Sequence, residues 1–133
     1  MDRSEADHNE AQSLLLAARK DWQALDGMRD ETVFADEIFG FHAQQAVEKT
    51  LKAWLALSGV EYPRTHDISL LLSALRLQEQ DVDVYYDLLE FNPYAVQFRY
   101  TAFPEIGEPL NRLEAIKCVE ELLRRVEDLL KSA

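Results

Sequence analysis

The apolar residues of this chain recur at intervals of three and four, and this spacing is the feature that most constrains the fold. It places side chains on one face of an α-helix, whereas a strand needs an interval of two. Glycine and proline, four of each, fall mostly in three places: Gly59 with Pro63, Pro93 alone, and a group from Pro104 to Pro109. We therefore predict an all-α, up-and-down bundle of four to five helices that forms one domain over residues 1–133.

The helix boundaries follow from the apolar pattern and from the residues that start and stop helices. Gly59 suits the left-handed end of the second helix, and Thr65 or Asp67 suits the start of the third. We predict a loop over 101–109. The predicted helices cover about 5–25, 32–58, 67–78, 81–93 with a helical or loosely turned continuation to 100, and 109 to the last residues.

Composition excludes several classes of function. With 25 acidic and 14 basic residues, the formal charge of −11 repels nucleic-acid backbones, so RNA or a nucleotide would need a local basic groove. No apolar run approaches the length of a membrane span, and the acidic, polar N-terminal residues do not resemble a secretory signal, which predicts a cytoplasmic protein without membrane contact. The single cysteine, Cys118, excludes an internal disulfide and a cysteine-based metal cluster, and we predict no cofactor.

The second helix is predicted to be covered on two sides. On a helical wheel its apolar side chains occupy an arc of roughly 200°, given a rotation of about 100° per residue. Gln44 lies inside this arc, where it needs hydrogen-bond partners to avoid a costly unsatisfied amide. The other residues of the arc are Phe39, Ala43, Ala46, Val47, Thr50, Leu51, Ala53, Trp54, Leu55 and Leu57.

The remaining side of this helix carries a polar stripe formed by His42, Gln45, Lys49 and Lys52. One interpretation is a solvated face, with Glu48 beside the stripe and paired to Lys52 four residues on. The other is a polar groove at a dimer interface, where two lysines supply local positive charge on an acidic protein. Both interpretations are open from the sequence.

Three segments in this order, FHAQQAVEKTLKAWL, RTHDISLLL and FNPYAVQFRY, resemble the HEPN family of helical domains over about residues 10–130. The resemblance implies a four- or five-helix bundle that forms a homodimer, with the polar groups of the family facing a cleft at the dimer interface. Family members are often encoded beside a minimal nucleotidyltransferase as toxin and antitoxin. Many are metal-independent endoribonucleases, and others bind nucleotides or have no known activity.

The nuclease motif of the family is an arginine followed, after four to six residues, by a histidine. Arg99 fits the arginine, but Pro104, Glu105 and Ile106 occupy the three positions where the histidine would stand. All histidines of the chain, His8, His42 and His66, precede Arg99. This departure argues against catalysis, and whether the protein is an enzyme is open.

Three functional hypotheses follow. The first is a noncatalytic or divergent HEPN protein that acts with a partner such as a minimal nucleotidyltransferase, and the second is a ribonuclease with a rearranged site. The third is a nucleotide-binding module without chemistry. The catalytic candidates are Arg99, His42 and His66, with none assigned, and no metal ligands are predicted. The ligand-binding candidates are Gln45, Lys49, Lys52, Arg64, Arg99 and Tyr100.

Overall fold

A computed structural model describes residues 3–95 and 110–133, and all regular elements within these ranges are helical. The prediction of an all-α bundle is therefore confirmed. None of the described helices is long and apolar enough to cross a membrane. The elements are α1 (Arg3–Gly27), α2 (Asp36–Leu57), α3 (Ile68–Leu77), a 3₁₀ helix (Asp83–Ala95) and α4 (Arg112–Ser132).

Helix α2 is the central element, since it packs against α1, α3, the 3₁₀ helix and α4. Every residue of its predicted apolar arc is buried except Leu57, which is half-buried. Its largest buried side chains are Trp54, Phe39, Leu51 and Leu55. Burial of each such side chain stabilises the fold by about 1.5–3 kcal/mol, so α2 is the main contributor to the core.

Helix α2 begins at Asp36, four residues later than the predicted start at position 32. The side chain of Asp30 accepts hydrogen bonds from the backbone N–H of Thr32 at 2.9 Å and from its hydroxyl at 2.6 Å. The carbonyl of Asp30 also accepts from the backbone N–H groups of Val33 and Phe34. These local bonds form a turn that competes with the helix and delays its start.

The fourth element, predicted as a helix from about position 81 to Pro93, is helical, but it is a 3₁₀ helix and not an α-helix. The segment is a 3₁₀ helix that runs through Pro93 to Ala95. Its buried side chains, Tyr85, Leu88, Phe91 and Tyr94, recur every third residue. A 3₁₀ helix has three residues per turn, so this interval keeps all four on the face that packs against the bundle.

The end of the 3₁₀ helix lies against the first turns of α2. The ring of Tyr94 covers Gly40, and a Cβ atom added at position 40 would lie 2.5 Å from Cγ of Tyr94. Only a residue without a side chain allows this approach between the two elements.

The start of α4 is tied to the connection between α1 and α2 by a buried arginine. Arg112 donates hydrogen bonds from Nη1 to the carbonyl of Met28 at 2.8 Å and from Nη2 to the carbonyl of Phe34 at 2.6 Å. Its Nη2 also lies 2.9 Å from Oδ1 of Asp36, and its guanidinium stacks 4.9 Å from the ring centroid of Phe39. This one side chain therefore holds three parts of the bundle together.

Candidate functional site

A cluster of polar side chains surrounds the carboxylate of Glu48 in the middle of α2. We call it the Glu48 cluster and define it by five residues: Gln44, Gln45, Glu48, Lys52 and His66. The Oε1 atom of Glu48 lies 2.9 Å from Nδ1 of His66, and its Oε2 atom accepts a hydrogen bond from Nζ of Lys52 at 3.0 Å. Only 6% of the Glu48 side chain is exposed, whereas 73% of the His66 side chain is exposed. The buried carboxylate of Glu48 is therefore in contact with an exposed side chain, that of His66.

Gln44 fixes the buried side of this cluster. Its amide nitrogen donates to Oε1 of Glu48 at 3.0 Å and to the backbone carbonyl of His66 at 2.9 Å. Its amide oxygen accepts from Nε2 of Gln45 at 2.7 Å. The prediction that a glutamine inside the apolar arc must find hydrogen-bond partners is confirmed, because Gln44 is fully buried and bonded through both ends of its amide.

The connection between α2 and α3 holds His66 in place from the other side. Asp67 caps α3 by accepting a hydrogen bond from the backbone N–H of Ser69 at 2.9 Å, as predicted for this position. Asn92 of the 3₁₀ helix donates to the same Asp67 oxygen at 2.9 Å and accepts from the backbone N–H of Ile68 at 2.8 Å. Because bonded residues lie on both sides of His66, the imidazole is presented from a well-anchored segment.

The electrostatics of the cluster keep Glu48 ionised. Burial acts to raise the pKa of Glu48, but the hydrogen bonds from Gln44, Lys52 and His66 together outweigh burial and leave the pKa below its ordinary value. An ionised carboxylate only accepts hydrogen bonds, so Nδ1 of His66 must carry the proton in this contact. Only 13% of the Lys52 side chain is exposed, and its ammonium lies 5.5 Å from the ring centroid of Tyr62.

A second polar cluster lies between α1 and α2, and we call it the Asp21 cluster. The Oδ2 atom of Asp21 accepts a hydrogen bond from Nζ of Lys49 at 2.6 Å, and its Oδ1 atom lies 3.3 Å from Nδ1 of His42. Burial acts to raise the pKa of Asp21, but the contacts with His42 and Lys49 outweigh it and lower the pKa. All three side chains are partly buried where the two helices meet.

The interpretation of the polar stripe as a solvated face is therefore wrong, although its predicted ion pair between Glu48 and Lys52 is present. His42 and Lys49 contact α1, and only 13% of the Lys52 side chain is exposed. The stripe residues pair with two different carboxylates, Asp21 of α1 and Glu48 of α2 itself. The wheel places these side chains correctly on one face, but it contains no information about which neighbouring elements cover that face.

The remaining predicted site residues fall in two groups. Arg64 is exposed in the connection before α3, where it lines a shallow cavity of about 330 Å³ with Tyr62, Glu61 and Glu10. Arg99 and Tyr100 lie outside the described residues, so their ligand-binding and catalytic roles stay predictions, as does the predicted loop over 101–109. Within residues 3–95 and 110–133, no three histidine, cysteine, aspartate or glutamate side chains are placed to hold a metal ion.

Sequence reasoning missed Asp21, and it placed Glu48 beside the stripe and paired to Lys52 without identifying it as the centre of a cluster. Glu48 carries a signal in the sequence, because it stands four residues from both Gln44 and Lys52 and so lies in one row with them along the helix. Asp21 carries no such signal, since its partners are 21 and 28 residues away in the sequence. Only the packing of α1 on α2 brings it to them.

Comparison with known proteins gives one family. The family model described as HEPN domain matches residues 11–129 of the chain, which includes both clusters and all five helical elements in whole or part. No curated protein and no solved structure matches the chain significantly.

Proposed function

Because this chain belongs to the HEPN domain family, we propose that it is a noncatalytic or divergent member that works through protein contacts. In this proposal it forms a homodimer in the cytoplasm and acts with a minimal nucleotidyltransferase in a module of the toxin–antitoxin type. Contact with a nucleotide or RNA accompanies that role. The departure from the nuclease motif after Arg99 supports the noncatalytic part of the proposal.

The observation that carries the proposal is a pair of outward-facing leucines on α3. Leu70 is 51% exposed and Leu77 is 82% exposed, and their spacing of seven residues places them on one face of the helix. An ion pair between Arg76 and Asp83 holds the 3₁₀ helix beside this helix, and Val84 of that element is 71% exposed. Large apolar side chains that share one exposed face of a helix, as Leu70 and Leu77 do, are typical of protein-binding surfaces.

The positively charged ligand-binding candidates give less support to the third hypothesis, a nucleotide-binding protein without catalytic activity. Lys49 and Lys52 are each already paired to a carboxylate, so a phosphate would have to replace Asp21 or Glu48. Arg64 is exposed, and it shares its shallow cavity with Glu10 and Glu61. We therefore assign nucleotide or RNA contact to the connection before α3 and protein contact to the outer face of α3.

The test of the proposal is the isolation of complexes from native cells. Tagged protein is expected to copurify with a nucleotidyltransferase, and light scattering of the purified chain is expected to give twice its mass of 15.3 kDa. The double variant Leu70→Ser/Leu77→Ser should lose the nucleotidyltransferase. Leu16→Ser is the matched control, since Leu16 is 62% exposed on a different helix, and it should retain the partner.

Two results would count against this function. A monomeric protein that captures no nucleotidyltransferase contradicts the whole proposal. Equal loss of the partner in the double variant and in Leu16→Ser contradicts the assignment of the contact to α3. Nucleotide contact is checked separately by thermal shift with ATP, GTP and AMP, where a ligand at 100 times its dissociation constant adds about 2.7 kcal/mol to stability. An unchanged melting temperature at millimolar nucleotide removes that part.

A further inference from the structure

The guanidinium of Arg125 on α4 lies over two aromatic rings of the core. Its central carbon, Cζ, is 4.8 Å from the ring centroid of Trp54 and 5.9 Å from that of Tyr85. The two rings meet edge to face, with their centroids 6.1 Å apart. Both aromatic residues are buried, whereas Arg125 is exposed. The rings therefore hold a cation in place at the surface of the bundle.

This guanidinium has no acidic partner in the part of the chain that the structure describes. No residue there forms an ion pair or a hydrogen bond with it, although Glu121 and Asp128 are exposed one turn away on the same helix. Its neighbour Arg124, by contrast, pairs with Glu120 at 3.3 Å. The five N–H donors of Arg125 are therefore available to an acceptor from another molecule.

A shallow cavity of about 330 Å³ lies beside the same tryptophan. Its lining includes Trp54, Leu129 of α4, and the amide side chains of Gln78 and Gln80 in the connection after α3. Leu129 stands four residues after Arg125, so the two side chains lie on one face of α4. The cavity thus combines apolar groups that can receive an apolar side chain with amides that can bond to a backbone.

We propose that Arg125 and this cavity form a binding surface for an acidic segment of a partner protein, in which a glutamate stands next to a leucine. We call it the Arg125 surface. The carboxylate accepts two parallel hydrogen bonds from the guanidinium, and the neighbouring leucine enters the cavity beside Trp54. This inference goes beyond the proposed function, which places protein contact on the outer face of α3 and gives α4 no part in binding.

The charges around the surface favour a carboxylate over a phosphate. The chain has a formal charge of −11, and Glu121 and Asp128 add negative charge close to the arginine. One guanidinium matches the single charge of one carboxylate, whereas nucleic acids are bound by several cations and are repelled by an acidic protein. The same repulsion acts against a phosphorylated segment, which carries nearly two charges.

The aromatic rings also suit Arg125 to an energetically important contact. An arginine that is free in solvent loses side-chain entropy when a partner fixes it. The stack on Trp54 and Tyr85 restricts Arg125 before the partner arrives, so less entropy is lost on binding. Arginine, tryptophan and tyrosine are also the residues that most often dominate protein–protein binding energies.

The experiment uses NMR of the full chain with the peptide Leu-Glu-Leu, acetylated and amidated at its ends, as the probe. The arginine Nε–Hε signal that is absent from Arg125→Gln identifies Arg125. This signal is expected to shift on addition of the peptide, and Leu-Gln-Leu should bind about 10- to 100-fold more weakly, because it offers a neutral acceptor. General repulsion by the acidic chain would favour the neutral peptide, so the order of the two affinities is diagnostic.

Three variants separate recognition from a structural role. Arg125→Gln should lose binding of Leu-Glu-Leu about 10- to 100-fold, and Arg125→Lys should also bind more weakly, since it keeps the charge but lacks the planar fork. Arg124→Gln is the matched control and should bind as wild type does. Circular dichroism checks that each variant is folded.

Several outcomes would overturn the proposal. They are the absence of a shift at Arg125, equal affinity for the two peptides, and equal binding by Arg125→Gln and wild type. Tighter binding of the matching phosphoserine peptide would assign the surface to a phosphate instead. Conversion of a dimer to a monomer by Arg125→Gln would show that a second copy of the chain covers the surface. The peptide assay does not involve a nucleotidyltransferase, so its failure is distinguishable from failure of the proposed function.

Discussion

At the scale of single residues, the contact between Gly40 and Tyr94 shows how a small residue permits close packing. The glycine lies within a helix, where alanine would ordinarily be favoured by about 1 kcal/mol. The ring of Tyr94 occupies the space that a methyl group would need, with three ring carbons at 2.5–2.7 Å from the added Cβ atom. Glycine is therefore required at position 40 because the ring of Tyr94 packs against it, and not because its own backbone conformation excludes other residues.

We expect Gly40→Ala to destabilise the protein by about 1–3 kcal/mol, because the ring or the helix must shift to admit the methyl group. Urea denaturation followed by circular dichroism measures the change. Gly27→Ala is the matched control, since no heavy atom of the described residues lies within 4 Å of its added Cβ atom. That variant should be neutral or more stable by up to about 1 kcal/mol, and equal losses in both variants would contradict the explanation.

At the scale of elements, Arg112 explains how α4 is aligned with the other helices. The position of Arg112 on the helix can be read from the sequence, because residue 112 lies on the same face of α4 as Ile116, Val119 and Val126, which are buried. A cation in an apolar row indicates a buried partner. The partners themselves, the carbonyls of Met28 and Phe34, are 84 and 78 residues away and carry no sequence signal.

We expect Arg112→Lys to lower the free energy of unfolding by about 2–4 kcal/mol, although the charge is kept. A lysine cannot reproduce the planar fork that reaches two carbonyls and a carboxylate at once, so buried acceptors lose their partners. Thermal denaturation measures the loss. Arg124→Lys on the same helix should change stability little, because Arg124 is exposed and makes a single pair with Glu120 at 3.3 Å. A small effect of Arg112→Lys would refute the alignment role.

The 3₁₀ helix shows how the spacing of apolar residues along a sequence can be misinterpreted. Its buried residues recur strictly every third position, from Tyr85 through Tyr94, whereas the spacing on one face of an α-helix alternates between three and four. The sequence alone does not single out this interval, because Val84, Tyr86 and Leu89 are also apolar or aromatic. Pro93 was predicted to end or kink the helix before a helical or loosely turned continuation, and the 3₁₀ helix continues through it to Ala95.

At the scale of the whole molecule, two carboxylates make stability depend on pH: Asp21, which is partly buried, and Glu48, which is buried. The pKa values of Asp21 and Glu48 are lowered from their ordinary values of 3.8 and 4.5. A carboxyl group with a lowered pKa in the folded state stabilises that state fully above its ordinary value. As the pH falls below that value, the unfolded chain takes up protons first, and the stabilisation is lost.

We therefore expect the melting temperature to be constant near neutral pH and to decrease below about pH 4.5, most steeply between the ordinary pKa values of the two groups and their lower values in the folded state. Differential scanning calorimetry at a series of pH values measures this. Asp21→Asn and Glu48→Gln should each be less stable at pH 7 and should show a weaker decrease in acid. Variants that follow the wild-type curve in parallel would show that other carboxyl groups control acid unfolding.

The sequence by itself determined the helical class, most helix positions and the faces that are buried, because these depend on residues three and four positions apart. It also determined that Gln44 needs partners and that the family resemblance extends over nearly the whole chain. Only the tertiary structure decided that the residues of the polar stripe pair with two different carboxylates, Asp21 and Glu48. It also decided that the imidazole of His66 is exposed to solvent while it contacts the buried carboxylate of Glu48. These contacts join residues 18 to 28 positions apart across different elements, and local periodicity cannot determine which helix packs on which.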